Sequence, residues 1–196
     1  ILRDIESLPH GLLFWRSSTH FLGGIGVVIF MLLILPSAST FRMRLSKMEI
    51  SSLSQENYKF KTKQTIKVIS SVYVGLTLLA FILLKIAGMG WFDAINHAFS
   101  VVATGGFSTK NLSILHYHSL PIEIIMSVFM LLASLHFGLL YNSVVTRSSK
   151  IFKSPVIKFY LVTLALFALF ITLDLYFTGH TNNLFTAFRH SIFQTL

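Results

Sequence analysis

The stretch Ala103-Thr104-Gly105-Gly106-Phe107-Ser108 holds the residue types most able to do chemistry in this sequence. Two adjacent glycines between a helical pattern and the polar run Thr109-Lys110-Asn111 make poor helix and poor strand. They do permit backbone torsions that side chains forbid, positive φ included. Such a segment can turn its carbonyl oxygens towards one line. Within a membrane an unpaired carbonyl cannot face hydrocarbon, where it is costly, so it must face water, protein or an ion. An ion is the reading adopted here.

The other candidates form weaker patterns. His97 and His190 occupy matching places in two similar segments and have the side chain of a metal ligand or pH sensor. Neutral imidazole also suits a polar contact near an interface, and capping or packing of short helices is the reading taken. His116-Tyr117-His118 lacks further metal ligands in a clear pattern. Gly106-Phe107-Ser108 faintly resembles a serine nucleophile loop, yet no glycine follows Thr109 and no histidine stands at diagnostic spacing, so enzyme chemistry is not expected. Arg16, Glu123 and Asp174 fall near the outer ends of apolar segments; they are expected to be solvated, the alternative being vestibule carboxylates that attract cations. His136, deep in its segment, either lines a pore or packs against a neighbour.

The elements that must position these residues follow from composition. The chain is 54% hydrophobic and 12% charged, with a mean hydropathy of +0.72, which is far from a soluble domain and implies a membrane protein. Cysteine is absent, which excludes disulfides and thiolate metal sites. The net charge of +9 would suggest nucleic acid in a soluble chain; here the basic residues sit beside apolar spans, where they set orientation, and no nucleic-acid partner is expected. The chain starts without methionine or a recognisable targeting pattern and ends in an apolar run, so it reads as an excised piece.

Ser7-Leu8-Pro9 reads as a helix start, with Ser7 as cap and Pro9 in the first turn. The helix it opens continues to about Leu35, and residues 21–35 are uncharged, after Arg16, His10 and His20. A basic segment with Arg42, Arg44, Lys47, Lys59, Lys61, Lys63 and Lys67 against Glu49 and Glu56 follows; it is read as a cytoplasmic loop, with a short interfacial helix within it as the alternative. A second span covers residues 66–87, with Lys85 able to snorkel near its outer end. Gly88-Met89-Gly90 ends it. The amphipathic run Trp91–Val102 is too short to cross a hydrocarbon core of about 30 Å, so with the glycines it forms a re-entrant helix and loop. Ser119-Leu120-Pro121 opens a span to about Val145, followed by a basic cytoplasmic loop with Arg147, Lys150 and Lys153. A last span covers residues 156–177 with Lys158 at its start.

Two internal repeats bear on the fold. Phe92-Asp93-Ala94-Ile95-Asn96-His97-Ala98 is similar to Phe185-Thr186-Ala187-Phe188-Arg189-His190-Ser191, with Phe, Ala and His in register. Ser7-Leu8-Pro9 matches Ser119-Leu120-Pro121, and the same offset carries Gly26 onto Gly138, which suggests close packing or a bend beside a cavity. The expected fold is an all-α membrane protein of tandem helix, pore loop, helix units. Residues 1–40 are the inner helix of a first repeat, 41–63 a cytoplasmic basic loop, 64–148 a complete second repeat, and 149–196 a loop, outer helix and pore helix of a third.

These residues resemble the Trk/Ktr/HKT superfamily of potassium transporters, specifically its TrkH/KtrB-like membrane subunits. Ala103 to Ser108 looks like the second of that family's four filter loops. Leu8-Pro9-His10-Gly11, Phe14-Trp15-Arg16-Ser17 and Leu22-Gly23-Gly24-Ile25-Gly26 are similar to the helix after the first filter, and Phe188-Arg189-His190-Ser191-Ile192-Phe193-Gln194 to the pore helix before the third. The resemblance covers the whole chain, with its motifs in the family's order. It implies a pseudo-fourfold, potassium-channel-like pore, of which Ala103, Thr104, Gly105, Gly106 and Phe107 supply one wall, with K+ at Thr104 and Gly105 and Gly105 as the central glycine. The family commonly has a hydroxyl residue where Ala103 stands, which would remove a side-chain ligand while keeping the carbonyl. It also implies a homodimer in the bacterial inner membrane, contact with membrane lipid, and a cytosolic nucleotide-binding gating ring of the TrkA or KtrA kind. K+ is the transported ion, with no prosthetic group.

Potassium must shed water to enter a narrow pore, and rings of backbone carbonyls can replace its hydration shell. The carbonyls of Thr104, Gly105 and Gly106 are expected to do so. A secondary transporter with broken helices, binding a cation by alternating access, is the rival; a non-conducting membrane scaffold is a third reading.

Overall fold

The computed structural model describes residues 4–34, 52–135, 155–178 and 183–196. His136, Gly138, Arg42, Arg44, Lys47, Glu49, Arg147, Lys150 and Lys153 lie outside the described residues. The regular elements within them are helices: α1 (His10–Ile34), α2 (Ser52–Ile86), α3 (Trp91–Val102), a 3₁₀ turn (Ser113–Tyr117), α4 (Leu120–Ser134), α5 (Pro155–Phe177) and α6 (Leu184–Thr195).

Helix α2 departs from the expected loop. It begins at Ser52, so residues 52–65 extend the span instead of leading into it. Gln55, Glu56, Lys59, Lys61, Lys63 and Gln64 are good helix formers, and nothing in that stretch breaks the pattern. At about 1.5 Å per residue, 35 residues reach about 52 Å, well beyond the hydrocarbon core, so the basic turns stand outside it. The helix ends where Gly88 takes φ 100° and Met89 N–H reaches back to Leu84 O at 3.1 Å, a Schellman closure that only glycine adopts without strain. Lys85 folds over this turn, its Nζ 3.3 Å from Met89 O and 5.0 Å from the centre of the Trp91 ring.

Neither helix-start motif uses its serine hydroxyl as a cap. Ser7 Oγ donates to Asp4 O at 3.1 Å, and Ser119 makes no side-chain cap bond. The first turns are opened by backbone carbonyls, Pro9 O accepting from Leu13 N–H at 3.3 Å and Ser119 O from Glu123 N–H at 3.2 Å, with Pro121 in the first turn of α4. Helix α4 stops at Ser134, with Leu135 extended at ψ 155°, short of the expected Val145; residues 136–145 lie outside the described residues. Asn183 caps α6, its Oδ1 accepting from Phe185 N at 3.0 Å.

The apolar stretches 66–86 and 155–177 are long enough to cross a membrane, yet only 22% and 17% of their most apolar windows are buried. Phe159, Val162, Phe167 and Phe170 of α5 are exposed, as lipid-facing side chains would be and core side chains would not. These features fit helices that cross a membrane. What is buried converges on α3: Tyr73, Ala80 and Leu84 of α2, Ala94, Ala98, Val101 and Val102 of α3, and Ile122, Met126 and Phe129 of α4 form one core, with Phe21 and Ile25 of α1 against it. Helix α6 packs chiefly on α5.

Close approach of α1 occurs at Gly24, not at Gly26. A Cβ on Gly26 would meet nothing within 4 Å among the described residues, whereas one on Gly24 would lie 2.6 Å from Tyr73 Oη and 3.2 Å from Ala103 Cβ. Tyr73 Oη meanwhile donates to Phe21 O at 3.0 Å, so it has little room to yield. Gly24→Val is therefore expected to destabilise by about 1–3 kcal/mol through overpacking, seen as a lower melting temperature of the detergent-solubilised full-length protein, while Gly26→Val leaves it near the wild-type value.

Candidate functional site

Helix α3 runs directly into the glycine-rich stretch. Ala103 still has helical torsions (φ −79°, ψ −2°), and then Thr104 turns to φ 52° and Gly106 to φ 69°. A left-handed β-branched residue is an outlier that costs on the order of 1–3 kcal/mol and persists only where its surroundings over-determine it. The surroundings do so. Thr104 N–H donates to Val101 O at 3.2 Å, Gly105 N–H to Ser100 O at 2.7 Å, and Phe107 N–H to Ser100 Oγ at 2.9 Å. The amides are thus tied back onto the last turn of α3. Ala103 O accepts from Thr104 Oγ1 at 2.8 Å, but among the described residues no hydrogen bond reaches the carbonyls of Thr104, Gly105, Gly106 or Phe107. Thr104, Gly106 and Phe107 are exposed, and Gly105 is half-buried. The loop also lies at the carboxyl end of α3, where the helix dipole favours a cation.

Polar residues at i, i+4 and i+7 on α3 hold the far side of the loop. His97, 1% exposed, uses Nδ1–H to donate to Asp93 O at 2.7 Å; its Nε2 then accepts from Ser108 Oγ at 2.9 Å, and Ser108 Oγ in turn accepts from Lys110 N–H at 3.0 Å. The chain of donors fixes the imidazole as the neutral Nδ1–H tautomer. Asp93 Oδ1 accepts from Thr109 Oγ1 at 2.6 Å, and Lys110 Nζ lies 4.0 Å from Asp93 Oδ2. With Ser100, the residues Asp93 and His97 make one face of the helix, and that face carries residues 105–110. The sequence marks His97 as a packing group and Ser108 as part of the glycine-rich stretch, but not Asp93 and Ser100 as anchors of that stretch; a polar stripe at helical spacing on an otherwise apolar helix is the available signal.

Neighbouring segments close the site. Arg16, expected to be solvated, instead donates through Nη2 to Ser108 O and sets its guanidinium 5.3 Å from the centre of the Phe107 ring. The His20 ring is 4.7 Å from the same phenyl, and His10 stacks on Phe92 at 4.4 Å. Glu123 likewise is not solvated: it takes a two-pronged bond from Arg189, with Nη2 to Oε1 at 2.7 Å, which ties α4 to α6. Asp174, His116, His118 and His190 are exposed. Among the described residues no three His, Cys, Asp or Glu side chains gather to hold a metal ion. Before α1, Ile5 N–H donates to Asn111 Oδ1 at 2.6 Å and Asn111 Nδ2 donates to Asp4 Oδ1 at 2.9 Å, which holds the Asp4 carboxyl below its ordinary range. A cavity of about 260 Å³ lies beside the loop, lined among others by Ser100, Thr104, Met126 and Phe193.

Residues 1–193 match the TrkH family, described as cation transport protein. The Trk system potassium uptake protein TrkH of Halomonas elongata is 32% identical over 200 residues, covering 100% of this chain and 41% of that protein. TrkH of Salmonella typhimurium is 30% identical over 197 residues, with the same coverage. The chain thus spans about 41% of the length of these curated relatives. The crystal structure of the potassium transporter TrkH from Vibrio parahaemolyticus superposes with a TM-score of 0.80 at 28% identity, covering 97% of this chain and 38% of that one. A match over nearly every residue, together with the shared helical frame, makes this chain a member of the TrkH family of cation transport proteins.

Proposed function

We propose that this chain is part of a protein that takes up K+ across the bacterial inner membrane, and that Ala103, Thr104, Gly105, Gly106 and Phe107 form one wall of a carbonyl-lined selectivity filter. One observation carries the reading: the amides of Thr104, Gly105 and Phe107 are tied to α3, while the carbonyls of residues 104–107 accept no hydrogen bond among the described residues. A dehydrating cation needs such oxygens, preorganised and otherwise unclaimed. K+ is the cargo, with Thr104 and Gly105 as its principal ligands here. The names of the relatives, potassium uptake proteins, support the choice of ion.

The repeats support a pore of four such units, to which this chain gives the inner helix of one, the whole of the next and the outer and pore helices of a third. We further propose a homodimer, contact with membrane lipid, and a cytosolic nucleotide-binding gating ring that docks on the basic segments around Arg42 to Lys67 and Arg147 to Lys153, which anionic lipid also suits. The full-length gene is expected to restore growth of K+-uptake-deficient bacteria on low K+ and to carry Rb+ flux that K+ blocks and Na+ does not. A membrane-inserted product that does neither would overturn the reading.

A further inference from the structure

The filter loop is held from two directions, and they differ in kind. Its own helix α3 takes the amides of residues 104, 105 and 107 and the hydroxyl of Ser108. The carbonyl of Ser108 and the ring of Phe107 are held instead by Arg16, which belongs to α1 and stands 92 residues away in sequence. Arg16 is half-buried, has no carboxylate partner among the described residues, and leaves its Nε buried without a hydrogen bond there. A cation kept so close to a cation path, without a counter-charge, is a poor choice for attraction. It is a good choice for geometry, because a planar guanidinium can donate in its plane to a carbonyl and still stand over a ring, which a lysine ammonium does with less directional constraint. His20, one turn further along α1, brings its own ring against Phe107, and its Nδ1 lies 2.8 Å from where a Cβ on Gly105 would stand.

We propose that Arg16 is a positioning residue for ion selectivity: it is a strut from the inner helix of one repeat to the outer edge of the next repeat's filter, fixing Phe107 and the Ser108 carbonyl and so the spacing of the oxygens below them. This rests on the filter reading of residues 103–107. It makes discrimination between ions a property shared by consecutive repeats, since a change in the tilt of α1 reaches the loop through Arg16 without passing through α3.

The test is flux of Rb+ and Na+ through purified full-length protein in liposomes. Arg16→Lys keeps the charge and loses the planar fork. It is expected to lower the preference for Rb+ over Na+ about tenfold, the loss of one charge-assisted hydrogen bond, while elution volume and melting temperature stay near those of the wild type. If Arg16→Lys keeps the wild-type preference while Arg16→Gln loses it, charge alone acts and the strut is wrong. If both keep it, or if preference falls only in step with the amount of folded protein, the proposal is likewise overturned. Should Arg16→Lys fail to insert, Arg16→Gln is expected to lose preference while the wild-type preference holds from low to high salt. Wild-type selectivity in Arg16→Gln, or a wild-type preference that salt screening abolishes as the substitution does, would sink the strut. Unchanged selectivity in a Gly105→Val protein would remove the filter reading itself; lost selectivity there with intact selectivity in the Arg16 variants removes only the strut.

Discussion

Gly105→Val is expected to reduce the preference for K+ over Na+, or uptake altogether, by about a hundredfold while the protein still inserts. The reason is steric before it is electronic. A Cβ on Gly105 would stand 2.8 Å from His20 Nδ1, 3.0 Å from its Cγ and 3.3 Å from its Cβ, so the whole imidazole obstructs it and not merely a mobile tip. Either α1 or the loop must move. The loop is the weaker side, being an exposed segment with Thr104 already in a left-handed conformation, whereas α1 is packed through Gly24 against Tyr73 and Ala103. Overpacking of this kind costs about 1–3 kcal/mol, and if it falls on the oxygens proposed above to replace a hydration shell it is a factor of about 5–150 in ion preference. Gly105→Ala meets the same imidazole with one methyl and should fall between Val and wild type. The check is competitive Rb+ uptake against Na+ at matched protein levels; wild-type preference in the valine protein would end the assignment of Gly105 to a filter.

How much of this was visible beforehand depends on the range of the interactions involved. The limits of α3 were read as Trp91–Val102 from local signals, glycines on both sides and an amphipathic run between them, and those are its limits. Local signals failed where several conformations satisfied them. Ser7 and Ser119 look like side-chain caps, but Ser7 Oγ bonds to Asp4 O and the Ser119 hydroxyl bonds no amide, so the first turns rest on backbone carbonyls and prolines. The basic segment lacks apolar periodicity and reads as loop with at most a short interfacial helix, whereas residues 52–63 join the long α2: their lysines and glutamines favour helix and, outside the hydrocarbon, need no apolar face. Of the glycines at 23, 24 and 26, the one against Tyr73 depends on the rotation of α1 about its axis, which no repeat offset reveals. The pairs Arg16 with Ser108 and Glu123 with Arg189 join residues 92 and 66 positions apart, so each appeared as a lone charge at a helix end. The glycine-rich loop after α3 is locatable because glycine pairs are local; its anchoring to Ser100 and His97 is half legible, as a polar stripe whose partners are not.

That stripe supplies the second large effect. His97→Leu is expected to destabilise by about 2–4 kcal/mol, because it removes two hydrogen bonds and leaves the Ser108 hydroxyl without its acceptor in a buried place. Ser108→Ala is expected to cost about 1–3 kcal/mol, since it strands His97 Nε2 and the Lys110 amide. Removing both groups together should cost less than the sum by about 1 kcal/mol or more, because an apolar pair leaves neither partner unsatisfied. A helix merely packed by its histidine would give additive losses; a loop hung from that histidine would not, and the His97→Leu protein should lose ion preference as well as stability, because Ser108 then no longer fixes the segment beyond Phe107. Apparent melting temperatures of the two single variants and the double variant, read beside their Rb+ and Na+ fluxes, decide between the two. Additivity within about 0.3 kcal/mol with unchanged preference would reduce His97 to a space-filling role.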